Sequence, residues 1–211
     1  MNDLRIIKIG GSFCRHDNIQ ALHRLGAVIS QLSREHPLAI VPGGGPFADT
    51  VRKYGKSLPL ADATCHFMAL LAMDQFAHVI HQALPDSRLI ELSDQETRQS
   101  IRSCAPAILL GSRFLSQVDP AILPHSWDVT SDSIAAYLAG LLGASMLILI
   151  KSVDIDPAVK EPDVDPCFRQ TIPPHLPVWI LNGHHPERLT ELMTTGHTQG
   201  IFLPPQSQHQ R

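Results

Sequence analysis

Val41-Pro42-Gly43-Gly44-Gly45-Pro46-Phe47-Ala48-Asp49 completes the apolar run Leu38-Ala39-Ile40-Val41 and leads into Asp49-Thr50-Val51-Arg52-Lys53-Tyr54, which suits a helix. The three glycines therefore stand at a strand-to-helix turn. Glycine permits positive φ and a close approach of backbone to an oxyanion, and a helix start adds N–H groups and the positive end of its dipole. Two readings are open here: a phosphate cradle, or a tight turn that needs glycine for steric reasons alone. A second copy of the arrangement favours the cradle. Leu4-Arg5-Ile6-Ile7-Lys8-Ile9 reads as a short buried strand running into Gly10-Gly11-Ser12, which places Lys8 near a strand end beside another glycine loop. Unpaired burial of its ammonium would cost several kcal/mol, so a carboxylate or a bound phosphate should face it, unless the side chain snorkels from the strand end to water.

Working outward, the same alternation repeats. Apolar residues at helical spacing (Ile19, Leu22, Leu25, Ile29, Leu32) predict a helix over residues 18–35, and a longer one is predicted over 61–83. Strands are predicted over 88–92 and 107–111, and residues 111–130 read as loop. Ser131–Leu142 reads as a helix capped by Gly143, and Met146-Leu147-Ile148-Leu149-Ile150 as a strand buried on both faces. Prolines 157, 162, 166, 173, 174 and 177 predict a long irregular connection over 155–177. Val178-Trp179-Ile180-Leu181 is a last strong strand; a helix over 186–193, an edge strand within 196–203 and a frayed tail over 204–211 follow. The sum is one α/β domain over 1–203, a three-layer αβα sandwich around a mainly parallel, doubly wound sheet.

Composition narrows the partners. A formal charge of −3 over 211 residues, with basic residues scattered, leaves no nucleic-acid or membrane footprint and points to a small molecule. The apolar run over 134–150 is shorter than the roughly 20 residues of a membrane span. Cys14, Cys65, Cys104 and Cys167 form no Cys-x-x-Cys pair and no signal peptide is recognised, so reduced thiols and a cytoplasmic location are expected. His78 with His81, and His184 with His185, lack the companion carboxylates of a metal motif. No metal site is expected.

The chemistry-bearing residues gather at strand ends. Lys151 closes the strand that begins at Met146, where ligands bind in open parallel sheets. Thr130, Ser131 and Asp132 open the next-to-last long helix, and each could be its cap. Two lysines, two glycine loops and an aspartate at a helix start describe a site for two anionic groups facing each other. Phosphoryl transfer needs in-line alignment and positive charge over the migrating group, which Lys8 and Lys151 supply. Asp132 would hold both ammonium groups in place. If each lysine acts as an oxyanion-stabilising donor, losing one costs about 3 kcal/mol, about a hundredfold in rate.

Lys8-Ile9-Gly10-Gly11-Ser12, the Gly43-Gly44-Gly45 turn, Thr130-Ser131-Asp132-Ser133-Ile134-Ala135-Ala136 and Lys151-Ser152-Val153-Asp154 resemble, in order and spacing, the amino acid kinase superfamily. The resemblance implies an αβα sandwich and ATP as co-substrate, with Mg²⁺ carried on the nucleotide phosphates. It implies Lys8, Asp132 and Lys151 as the catalytic set. It places Gly10, Gly11, Ser12, Ser152, Val153, Asp154, Asn182 and Gly183 around ATP, and Gly43, Gly44, Gly45 and Thr130 around the acceptor. Within the family, Trp127-Asp128-Val129-Thr130-Ser131-Asp132-Ser133 is similar to the branch of (aminomethyl)furanmethanol phosphate kinases of methanofuran-type cofactor synthesis, a part of one-carbon metabolism. That resemblance implies a small phosphorylated substrate, a flat face on Trp127 for a furan ring and Asp128 as partner of an ammonium group. Trp127 is equally readable as an apolar anchor and Asp128 as a surface carboxylate. Arg52 would meet the acceptor phosphate or stand as an exposed helical arginine. The other outcomes are a uridylate-type kinase and a nucleotide-binding storage or regulatory module of the same fold. A homo-oligomer is also implied.

Overall fold

In the computed structural model of the chain, residues 3–92, 101, 105–154 and 163–206 are described. The elements run β1 (Arg5–Ile9), α1 (Ile19–Leu32), β2 (Leu38–Pro42), α2 (Gly45–Ser57), α3 (Asp62–Ala83), β3 (Arg88–Glu91), β4 (Ala107–Leu110), α4 (Ser112–Leu115), α5 (Ser131–Leu142), β5 (Met146–Lys151), α6 (Phe168–Thr171), β6 (Val178–Asn182), α7 (Glu187–Thr195) and β7 (Ile201–Leu203). The seven strands form one sheet in the order β3-β4-β2-β1-β5-β6-β7. All pairings are parallel except the last, in which β7 runs against β6.

Pleating sorts the strand residues into two cores. Ile6, Val41, Leu147, Leu149 and Ile180 pack toward α5, with Ile134, Ala135 and Leu138 facing them. Ile7, Ile40, Ile148, Ile150 and Leu181 pack on the opposite face against Leu22, Leu25 and Ile29 of α1 and Leu189 of α7. Long α3 serves both cores, through Leu70 and Met73 on one and Phe76 and Ile80 on the other. Because β1 is flanked by β2 and β5, the carboxyl ends of these three strands open side by side. Lys8 pairs in register with Leu149, and Lys151 lies two residues further along β5, so both lysines stand on the α5 face.

Several expectations are corrected. The stretch 111–130, expected as loop, contains α4, whose first amides at Gly111 and Ser112 are held by the Asp74 carboxylate of α3 at 2.9 and 3.3 Å. A carboxylate distant in sequence caps a helix that local residues do not announce. The connection expected over 155–177 contains α6, where Thr171 donates its hydroxyl to the Cys167 carbonyl at 2.8 Å; residues 155–162 lie outside the described residues. Helix α2 starts at Gly45, so two of the three glycines belong to the helix start instead of a separate loop. Gly143 caps α5 in the left-handed conformation, φ 62°. The Gln206 amide donates to the Pro174 carbonyl at 2.7 Å, which holds the first residues of the expected tail. Cys14, Cys65 and Cys167 are free thiols, and Cys104 lies outside the described residues. Among the described residues no helix is long and apolar enough to cross a membrane.

Candidate active site

The two glycine turns leave β1 and β2 at neighbouring positions and pack on one another, backbone against backbone. A Cβ on Gly11 would lie 2.1 Å from the Gly45 nitrogen, and Gly45 has φ +52°. No other residue fits either position. The amides of Gly10, Gly43 and Gly183 are already committed, donating to Ile150, Ile9 and Lys151 carbonyls at 2.9, 2.9 and 2.8 Å. Those three glycines therefore extend the parallel ladder, whereas Gly11, Gly44 and Gly45 line an open cleft of about 290 Å³.

At the inner end of this cleft Asp132 bridges the two lysines. Its Oδ1 lies 2.8 Å from Lys8 Nζ and its Oδ2 2.8 Å from Lys151 Nζ. Lys151 also donates to the Asp163 carbonyl at 2.7 Å. The Asp132 side chain is only 5% exposed and that of Lys8 6%. Burial opposes the Asp132 charge, yet Lys8 and Lys151 outweigh it and hold the carboxyl below its ordinary value. Burial pushes Lys8 below its ordinary value, Asp132 opposing and Lys151 reinforcing the shift. Asp132 does not cap α5. The Thr130 hydroxyl accepts from the Asp132 amide at 3.4 Å, leaving the carboxylate free for the lysines.

The outer part of the cleft is built from α2, α3 and the stretch before α5. Asp49 accepts from Arg15 at 3.3 Å and from Arg52 at 3.2 Å, and the Arg52 guanidinium lies 4.5 Å over the Trp127 ring. Trp127 thus reaches the cleft with one face covered by a cation. Asp128 does not line the cleft; it faces the Ser126 hydroxyl at 3.5 Å. His66 of α3 also lines the cleft, stacked on His125 with ring centroids 4.9 Å apart. Its Nε2 is buried with no hydrogen-bond partner among the described residues, and burial, with His125 adding to it, lowers its proton affinity.

Of the residues expected around ATP, Gly11 and Ser12 line this cleft, and Ser12 donates to the Ser152 hydroxyl at 2.9 Å. Asp154 and Asn182 do not line it; Asn182, the last residue of β6, donates to the Asp154 carboxylate beyond β5 at 3.1 Å, and Arg188 of α7 pairs with Asp154. These hydrogen bonds hold the Asp154 carboxyl below its ordinary value. Val153 is exposed. Sequence reasoning missed Arg15, Asp49, His66, Asp163, Asp165 and Arg188. None sits in a motif with recognisable spacing, although Asp49 ends the stretch that decides the fold. Among the described residues no three His, Cys, Asp or Glu side chains converge on a point that could hold a metal ion.

The model of the amino acid kinase family matches residues 3–156. The chain is 28% identical to the [5-(aminomethyl)furan-3-yl]methyl phosphate kinase of Methanocaldococcus jannaschii, over 92% of this chain and 94% of that protein. It is 25% identical to the uridylate kinase of Methanosarcina barkeri, over 72% of this chain and 60% of that protein. Among solved structures, UMP kinase from Ureaplasma parvum superposes with a TM-score of 0.68 at 16% identity, covering 97% of this chain and all of that one. Uridylate kinase from Archaeoglobus fulgidus gives 0.65 at 15% identity, covering 92% and 96%. At these identities the structural likeness shows the fold.

Proposed function

The chain belongs to the amino acid kinase family, and on that footing we propose that it is an ATP-dependent kinase whose acceptor is a phosphate group, first among them [5-(aminomethyl)furan-3-yl]methyl phosphate. One observation carries the choice of an anionic acceptor. Among the described residues both carboxylates that line the cleft are already paired with two cations each, Asp132 with Lys8 and Lys151, Asp49 with Arg15 and Arg52. Asp132, held below its ordinary pKa, is a poor proton acceptor. A hydroxyl acceptor needs a base; a phosphate monoester, with a second pKa of about 6, is already ionised at neutral pH.

In this reading an acceptor phosphate oxygen attacks the γ-phosphorus of ATP as the bond to the β,γ-bridging oxygen breaks, giving a diphosphate and ADP. Lys8 and Lys151 face the equatorial oxygens, where negative charge is spread in the transition state. Asp132 keeps the two ammonium groups together without neutralising their remaining donors. Gly11 and Ser12 approach the nucleotide phosphates, Gly44, Gly45 and Thr130 the acceptor side. Arg52, fixed by Asp49 and Trp127, presents its guanidinium to the acceptor phosphate, and the furan ring then meets the uncovered part of Trp127. Mg²⁺ would travel with ATP, as it does where no dedicated cage exists. A cytoplasmic location accords with free Cys14, Cys65 and Cys167. The likeness to M. jannaschii over almost the whole of both chains supports the furan acceptor and a place in methanofuran-type cofactor synthesis.

Purified protein with ATP and Mg²⁺ is expected to form ADP with the furan-methyl phosphate and not with uridine monophosphate. Turnover with the nucleotide alone would replace the acceptor by the uridylate-type reading. ATP binding without turnover across a panel of phosphates and carboxylates would leave a nucleotide-binding module.

We further propose self-association through the outer faces of α2 and α3 and the turn between them, where Tyr54, Leu58, Phe67 and Leu71 are 51, 56, 42 and 42% exposed. Light scattering is expected to give at least twice the mass of one chain, with Leu71→Glu shifting it toward one. A single-chain mass at micromolar concentration would refute this.

A further inference from the structure

Asp165 stands in the stretch between β5 and α6, 33 positions beyond Asp132, and does not line the cleft. Its carboxylate is nonetheless occupied by the first turn of α5. Oδ2 accepts from the Thr130 amide at 3.0 Å, the Thr130 hydroxyl at 2.8 Å and the Ser133 amide at 3.0 Å. Oδ1 accepts from the Ser133 hydroxyl and from the Cys167 amide at 3.1 Å. The residue is buried, 8% exposed. Helix α5 is thus capped mainly by a remote carboxylate: the local cap is long, 3.4 Å, and the hydroxyl that makes it is itself oriented by its donation to Asp165.

What makes this more than a cap is the place of Asp132 between the two tethered residues. Thr130 and Ser133 flank it, so Asp165 fixes the turn from which the bridging carboxylate projects. Two residues earlier, the Asp163 carbonyl receives Lys151 Nζ. One short stretch therefore holds both ends of the Lys151–Asp132 pair. Its negative charge also acts on Lys8, favouring the ammonium form alongside Asp132.

We infer that Asp165 is the positioning residue of the transfer centre: through the first turn of α5 it sets the Asp132 carboxylate where it can meet Lys8 and Lys151 together. The inference rests on reading Lys8, Asp132 and Lys151 as that centre. Displacements of about 1 Å at such a centre cost about a hundredfold in rate, whereas a plain cap would affect stability alone.

The test is Asp165→Asn made in the wild-type and in the Lys8→Met background, with kcat, KM and melting measured for each below its melting range. Asparagine keeps the size but offers one acceptor oxygen to five donors. In the wild-type background kcat should fall at least ~10-fold with KM for ATP changed less than ~3-fold; in the Lys8→Met background the further fall should be under ~3-fold, because the centre is already broken. The loss in melting temperature should be the same in both. Equal kcat losses in the two backgrounds, or none in the first, would overturn the inference. Should Asp165→Asn not fold, Ser133→Ala, which removes one donor and leaves the carboxylate, is read by the same comparison. A readout independent of the acceptor is the ammonium ¹H–¹⁵N resonance of Lys151, which should broaden or vanish in the folded variant. If no acceptor supports turnover, the proposed function is at fault, and an unchanged Lys151 resonance would still overturn the role of Asp165.

Discussion

Asp132→Asn is expected to abolish measurable turnover and to lower the melting temperature by on the order of 10 °C. Two ammonium groups meet one carboxylate that is 5% exposed, at 2.8 Å each. An amide supplies one oxygen to accept and an NH₂ group that repels the second ammonium, leaving buried positive charge without a counter-ion. Removing one partner from a buried pair costs about 3–5 kcal/mol, and each kcal/mol moves the midpoint of a domain of this size by roughly 2–4 °C. Against a total stability of about 5–15 kcal/mol, much of the reserve goes at once. Thermal melting and kcat measured on the folded fraction check both halves. A variant that melts like the wild type would mean that the lysines find another counter-charge.

Lys8→Met is expected to separate the two effects. Lys151 stays beside Asp132, so the remaining pair is still neutral, and methionine replaces the buried stem of Lys8, whose neighbours in register are Val41 and Leu149. Stability should change by less than about 2 kcal/mol, since the large cost of breaking a buried pair comes from the unpaired charge left behind, and here Asp132 keeps Lys151 at 2.8 Å. The rate should nevertheless fall about a hundredfold, the usual effect of removing one preorganised donor from a developing oxyanion. The same residue predicts opposite pH trends for stability and activity. Its pKa is lowered in the folded protein by burial, so between that value and the ordinary lysine value the unfolded chain binds more protons. Stability contributed through Lys8 therefore rises with pH in this window. Activity falls over the same window, because the neutral amine no longer offers its charge. The alkaline limb of the rate profile should lie below the ordinary lysine range and disappear in Lys8→Met. A profile unchanged by the substitution would remove Lys8 from the centre.

How far the chain announces this arrangement depends on the distance over which each feature acts. The strands and helices that build the site are set by period and punctuation within about ten residues of sequence: Leu38–Pro42 and Met146–Lys151 as apolar runs, the second closed by its lysine, Ser131–Leu142 as a helix closed by Gly143. Lys8 and Lys151 at strand ends, and Asp132 at a helix start, are legible for the same reason, since a charge in an apolar run needs a partner. Short helices such as Ser112–Leu115 are not, because their stabilising carboxylate, Asp74, arrives from another part of the chain. The same holds inside the cleft. Arg52 lies over Trp127 only because the packed fold brings α2 against the stretch before α5, and that contact, with Asp49, decides which face of the indole is open.

By itself, then, the amino-acid order determined the alternation of strand, glycine turn and helix, and the two lysines and one aspartate that a parallel sheet would bring to its carboxyl edge. Only the tertiary structure decided that Gly11 and Gly45 touch, that Asp128 stands outside the cleft and His66 within it, and that Asp165 caps the helix carrying Asp132. The physical reason is one of range. Hydrophobic period and turn chemistry act between near neighbours and leave a mark in the sequence, while the pairing of a buried polar group is satisfied by whichever donor or acceptor the packed fold brings within 3 Å, whatever its position in the chain.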